Sequence, residues 1–167
     1  MNILALDLGT STGYAYGHND PIAGTELLAT DKEIRAWGEQ RLSRRCDPRI
    51  ARLYSWCVNW VRSSDAPSLV VFEDVQFASY TLQVQLWASL RAAVWCAFSP
   101  VNVIFECVPV GTLKLFATGH GRATKEAMAA ALYREHPEMR KKGYDDNAVD
   151  AIFLWKWAKH NLGRLRK

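Results

Sequence analysis

Short unbroken apolar runs alternate along the chain with longer stretches in which apolar residues recur every three or four positions. The first run, 3–8, is interrupted by Asp7 and followed by Gly9, which predicts a buried strand. Tyr14 and Tyr16 alternate with small residues over 13–17 and predict a second strand, reached through a tight turn. A third is expected at 26–30, near Gly24, completing an antiparallel meander. Asp47-Pro48 marks a helix start, with aspartate as N-cap and proline at the first helical position, where no N–H is needed. Ile50, Leu53, Tyr54, Cys57, Trp60 and Val61 then give that helix one apolar face, and residues 63–68 end it. Leu69, Val70, Val71 and Phe72 form a continuous run, the pattern of a strand buried on both faces, with Glu73 and Asp74 at its C-terminal end.

Leu82, Leu86, Leu90, Ala93, Val94 and Phe98 recur at helical spacing and predict a helix over 81–98, stopped by Pro100. Residues 101–107 read as another buried strand, 109–116 as a short helix and the Ala-rich 124–135 as a longer one. A polar loop is expected at 140–143. Asp145 is placed to cap a last helix, whose apolar side carries Val149, Ile152, Phe153, Trp157 and Ala158. Three antiparallel strands, then strands alternating with helices, predict an α/β fold with a five-stranded mixed sheet and helices on both faces. Ligand chemistry in such sheets sits at the C-terminal ends of strands.

At 167 residues the chain matches one domain, expected over 1–160 with a basic tail at 161–167. Hydrophobic residues at 49% and charged residues at 23% exclude disordered and collagen-like classes. No apolar run approaches the ~18 residues of a membrane span. The N-terminus lacks the basic start and apolar core of a signal peptide, so a cytoplasmic location is expected. Cys46, Cys57, Cys96 and Cys107 form no CxxC and are expected to be reduced and mostly buried, without a zinc site. The net charge of +4 is unevenly spread. Residues 1–31 hold Asp7, Asp20, Glu26 and Asp31 and no Lys or Arg. Residues 156–167 hold Lys156, Lys159, Arg164, Arg166 and Lys167 and no acid, and Arg41, Arg44, Arg45, Arg49 and Arg52 form a second basic cluster. Such segregation suits a polyanionic partner; a solvated basic surface is the alternative.

The acids carry the candidate chemistry. Asp7 and Glu73 each abut an apolar strand, and a buried carboxylate is costly unless it is paired or holds a metal. No basic residue lies near either in sequence. Asp146 and Asp150 are four apart and share a helix face. The alternative is that Asp145 and Asp146 only favour the helix start and Asp150 is solvated. Carboxylates without histidine form a hard-oxygen site, suited to Mg²⁺ or Mn²⁺. Two such ions can activate a water and stabilise the leaving oxygen of a phosphodiester.

LALDLGTSTGYAYG resembles the first-strand motif of the RNase H-like superfamily, and within it that of RuvC-type Holliday junction resolvases. VVFEDVQFASYTLQVQLWASLRAAVWCAF resembles the second block of that family, GTLKLFATGHGRATKEAMAAAL the third, and DDNAVDAIFL the final Asp-rich helix. The blocks occur in the family's order and cover most of residues 2–158. This resemblance implies an RNase H-like fold and a metal-dependent, structure-selective DNA endonuclease using two Mg²⁺ ions, for which Mn²⁺ substitutes. By position, Asp7, Glu73 and Asp150 match the family's metal-binding acids. The family's remaining aspartate falls at Asn147, so either Asn147 or the adjacent Asp146 takes that place, with Asp146 preferred.

Lys114 and Lys125 match basic residues that sit near the scissile phosphate in the family, and ordinary surface lysine is their alternative. Phe77 and Tyr80 fall where the family has an aromatic at the junction centre, with core packing as the alternative, and Arg122 counts among the DNA contacts. The resemblance also implies a homodimer acting on branched DNA, for which the helix over 81–98, with Trp87 and Trp95 off or near the edge of its apolar face, is the candidate interface. The Arg41–Arg52 cluster and the basic tail would grip the DNA arms. Compact length and Asn147 lean toward a phage or mobile-element resolvase. Competing readings are a flap, fork or RNA–DNA hybrid nuclease on the same core, and an inactive junction-binding module. LDLGTSTG also resembles the phosphate-binding turn of sugar kinases and actin, but no second glycine-rich Asp motif occurs, so no nucleotide cofactor is expected.

Overall fold

The computed structural model describes residues 1–38, 47–74 and 81–165. Strand β1 (Ile3–Asp7) runs through the centre. It pairs antiparallel with β2 (Ser11–Gly17) on one side and parallel with β4 (Leu69–Asp74) on the other. The edges are β3 (Ile22–Leu27), antiparallel to β2, and β5 (Ile104–Pro109), parallel to β4. The order β3-β2-β1-β4-β5 is the five-stranded mixed sheet expected. Ile3, Leu4, Ala5 and Leu6 are fully buried, so β1 is covered on both faces.

Alternation along the strands divides the core into two layers. Leu4, Leu6, Val70 and Phe72 pack under α2 (Pro48–Arg62) and α3 (Thr81–Phe98). Ile3, Ala5, Leu69 and Val71 pack under α4 (Val110–Thr118), α5 (Lys125–Glu135) and α6 (Asp146–Leu165). The starts of α2, α5 and α6 are capped by polar side chains. Asp47 accepts from the Arg49 backbone, Thr124 from Ala127, and Asp145 from Ala148 at 2.9 Å. Among the described residues no helix is long and apolar enough to cross a membrane.

Several expectations need correction. The third strand lies at Ile22–Leu27 rather than 26–30, because the turn after Gly17 returns the chain at once and pairs Tyr16 with Ile22. An additional helix, α1 (Asp31–Gly38), precedes α2. Thr30 and Glu33 bond reciprocally to each other's backbone N–H, a capping box whose T-x-x-E pattern was present in the sequence. The segment expected to be a buried strand at 101–107 is the edge strand β5, where Ile104 is 40% exposed. Cys107 on this edge strand and Cys96 on α3 are exposed rather than buried, Cys57 is buried, and all three are free; Cys46 lies outside the described residues. Leu82 does not reach the core but is 78% exposed in the first turn of α3, and Tyr54 on α2 is also exposed. The polar loop at 140–143 lies largely within a 3-10 turn, Pro137–Lys142.

The approach of α6 to β2 depends on one glycine. A Cβ at Gly13 would lie 2.0 Å from the Asn147 carbonyl oxygen, a contact with backbone that no side-chain rotation relieves. Gly13 is the β2 partner of Asp7, so the same absence of a side chain sets the first turn of α6 against the end of β1. Gly13→Ala is expected to cost about 2–3 kcal/mol in urea unfolding, as overpacking against rigid neighbours does. Gly24→Ala, whose Cβ would meet only the Tyr14 side chain at 3.0 Å, should cost clearly less.

Candidate active site

Register and alternation bring the first two acids together. β1 and β4 pair Leu6 with Phe72, so the next step along both strands sets Asp7 beside Glu73. Ile3 and Ala5 face the α6 layer, as do Leu69 and Val71; period-2 alternation therefore turns Asp7 and Glu73 to that same side. Asp150, one turn into α6, completes the group from above the sheet.

Burial dominates the electrostatics of the three carboxylates, and neighbouring negative charge adds to it. Burial pushes Asp7 well above the usual carboxylate range; the negative charges of Glu73, Asp150 and Asp145 add to this, and the Lys125 ammonium opposes it. Glu73 is pushed up to about 7, first by burial and then by Asp150, with Lys114 opposing. Asp150 is pushed up to about 6 by burial, against the pull of Lys125 and Lys114 and with a smaller push from Asp146. None of the three forms an ion pair with a described residue. Asp146 instead lies outside them, half-exposed, with its Oδ2 3.2 Å from Lys125 Nζ. Among the described residues, no three His, Cys, Asp or Glu side chains stand close enough together to enclose a metal ion as placed. The donor chemistry nevertheless fits one class of ion: carboxylate oxygens alone, mutually repelling and largely desolvated, suit a hard divalent cation.

Lys114 on α4 and Lys125 at the start of α5 both act on this group through their charge, from two different helices. Arg122 is exposed in the loop before α5. Phe77 and Tyr80 lie outside the described residues. So do Arg41, Arg44 and Arg45; Arg49 and Arg52, the rest of that cluster, make ion pairs within the chain. Arg49 binds Asp47 at 2.6 Å and reaches Thr10 in the loop after β1, while Arg52 binds Glu33 and the Leu28 carbonyl. Lys156 pairs with Glu135, and Lys159 donates to His18 and Asn19.

Sequence reasoning missed two residues at the site. Arg91 binds Asp74 at 3.4 Å and, with Leu8, Glu73 and Trp87, lines a small cavity on the α3 side of Glu73. Its signal was that it is the single charge in an otherwise uncharged helix. Asp145, read as a cap, also adds negative charge near Asp7, while Thr25 donates to its Oδ1 at 2.6 Å.

Solved structures share this architecture. Thermus thermophilus RuvC aligns with a TM-score of 0.63 at 18% identity, covering 92% of this chain and 90% of its own. T. thermophilus RuvC in complex with Holliday junction substrate aligns with a TM-score of 0.68 at the same identity and coverage. The yeast mitochondrial Holliday junction resolvase Ydc2 gives 0.59 at 12% identity, covering 91% of this chain and 75% of its own. No family model matches the chain, and no curated protein sequence does. At these identities the likeness establishes the fold: this chain has the RNase H-like fold of the RuvC-type structures.

The raised carboxylates have a consequence for stability. A carboxylate whose folded pKa lies above its unfolded one supports the fold most at low pH, and that support is lost as pH rises through the folded value. For Glu73 the window runs from its ordinary 4.5 to about 7. In chelator-treated protein, Glu73→Gln should therefore raise unfolding stability at pH 8 by on the order of 2 kcal/mol, with the gain vanishing near pH 4.5. A denaturant series at the two pH values checks this; an equal gain at both would show that the carboxylate's charge is not the cause.

Proposed function

We propose that this chain is a metal-dependent, structure-selective DNA endonuclease that resolves four-way junctions. The observation that carries this reading is the meeting of Asp7, Glu73 and Asp150, from two strands and a helix, at strand C-terminal ends and without a cationic partner among the described residues. The fold match to a RuvC solved on Holliday junction substrate supports the class of DNA. Asp7, Glu73 and Asp150, with Asp146 at the rim, would hold the two Mg²⁺ ions. When bound, such ions supply Lewis acidity toward a phosphodiester and make water a usable nucleophile at neutral pH.

The chain's own residues supply the rest. The sheet register fixes Asp7 and Glu73 side by side, and burial raises both carboxyls, so a divalent cation that restores their charge has two donors already in position. Lys114 and Lys125 draw a backbone phosphate toward the acids and offset its charge. The path for the DNA arms passes the exposed Arg122 and the exposed basic residues Arg140, Lys141 and Lys142, whose turn leads directly into Asp145 and α6. Phosphate contacts of this kind position DNA without reading its sequence and make binding steeply salt-dependent. Hydrolysis would leave 5′-phosphate and 3′-hydroxyl ends.

Paired cuts in a symmetric junction need two such sites. A second copy is best accommodated along α3, where Leu82, Val84 and Trp95 expose apolar surface.

A cleavage panel in Mg²⁺ and Mn²⁺ tests the assignment, with a four-way junction, a flap, a linear duplex and an RNA–DNA hybrid as substrates. Symmetric paired nicks in the junction, with the duplex spared, are expected. Asp7→Asn should lower the rate by at least about a hundredfold while junction binding persists, as losing a central electrostatic contact does. Equal cutting of flaps and junctions would point to a broader branched-DNA nuclease. Cutting of the hybrid alone, or full activity of Asp7→Asn, would overturn the proposal.

A further inference from the structure

The four acids of the site are not in equivalent states. Asp7, Glu73 and Asp150 are largely buried and repel one another, whereas Asp146 is drawn outward to Lys125, with 3.2 Å between Nζ and Oδ2. Asp146 and Asp150 share a face of α6, so Asp146 stands one helical turn from the inner group. Lys125 opens α5, where the Thr124 cap fixes its backbone. From there its charge acts on three acids: it binds Asp146 directly and offsets Asp7 and Asp150 at longer range.

We propose that Lys125 is a resident counter-cation that holds Asp146 in the metal-free protein and yields it when a DNA phosphate arrives. The inference rests on the metal-centre reading above and adds an order of events to it. An ammonium on a flexible stem can exchange a carboxylate for a phosphate at little steric cost, and both Lys125 and Asp146 are more than half exposed, so solvent and DNA reach the pair. An exposed pair is weak, which is what a releasable contact requires. Before DNA binds, Lys125 competes with a divalent ion for Asp146. Afterwards the phosphate engages Lys125 and Asp146 turns free. Lys114 has no such contact: no ion pair joins it to any described acid, so it acts through its field alone.

The test is Mn²⁺ binding to the free protein, followed by the loss of the aqueous Mn²⁺ electron paramagnetic resonance signal. No cleavage is involved in the readout. Wild type, Lys125→Met, Asp146→Asn and the double variant are compared, with Asp7→Asn alongside. Lys125→Met should bind about two- to fivefold tighter than wild type, the range an exposed ion pair allows. That gain should disappear when Lys125→Met is made on the Asp146→Asn background. No gain in the single variant, or the same gain in both backgrounds, would overturn the proposal, the latter because it would reflect only the removal of a positive charge. Mn²⁺ binding that is unaffected by Asp7→Asn would instead overturn the metal-centre reading, and this inference with it.

Discussion

The structure is organised around an electrostatic cost: a carboxylate at the end of the most deeply buried strand, beside two more. Burial first, and neighbouring negative charge second, push Asp7, Glu73 and Asp150 toward the protonated form. What holds them together is everything else the strands do. Ile3, Leu4, Ala5, Leu6, Leu69, Val70 and Val71 are completely buried, and their apolar burial on both faces of β1 and β4 is far larger than the repulsion at the ends. The sheet therefore acts as a clamp that forces like charges into one place, and that is the arrangement a multivalent cation relieves.

Position follows from three simple rules acting at once. Parallel pairing sets residue 7 level with residue 73, alternation turns both to one face, and helical periodicity puts Asp150 on the α6 surface toward them. Gly13 is where the rules meet. A side chain there would collide with the Asn147 backbone, lift the start of α6 off β2 and carry Asp146 and Asp150 away from the strand ends. The site is thus specified as much by an absent side chain as by the acids themselves.

Much of this was legible in the sequence, for reasons that also explain the misses. Unbroken apolar runs located β1 and β4, and strict helical spacing located α3 at 81–98, because burial on both faces and on one face leave different periods. The edges are harder. β3 and β5 are half-exposed, so neither has a clean pattern; the sequence pattern sets β3 several residues late, and Val, Ile and Phe give β5 the look of a core strand. α1 was overlooked although Thr30 and Glu33 carry its capping box. The acids could be picked out because each interrupts or ends an apolar element. The Lys125–Asp146 and Arg91–Asp74 pairs could not, since they join residues 21 and 17 positions apart across elements whose relative placement only the fold determines.

Charge illustrates the same limit most sharply. The densest basic cluster in the sequence includes Arg49 and Arg52, and in the fold Arg49 ties Asp47 to Thr10 while Arg52 ties α2 to α1 through Glu33. Those arginines hold the loop after β1 and the start of α2, and so steady the strand that carries Asp7. The positive charge that actually bears on the acids comes from Lys114 and Lys125, isolated in sequence and unremarked by any density of basic residues. A local run of charge reports composition. Where each charge stands, and what it is paired with, depends on contacts between elements that no single segment encodes.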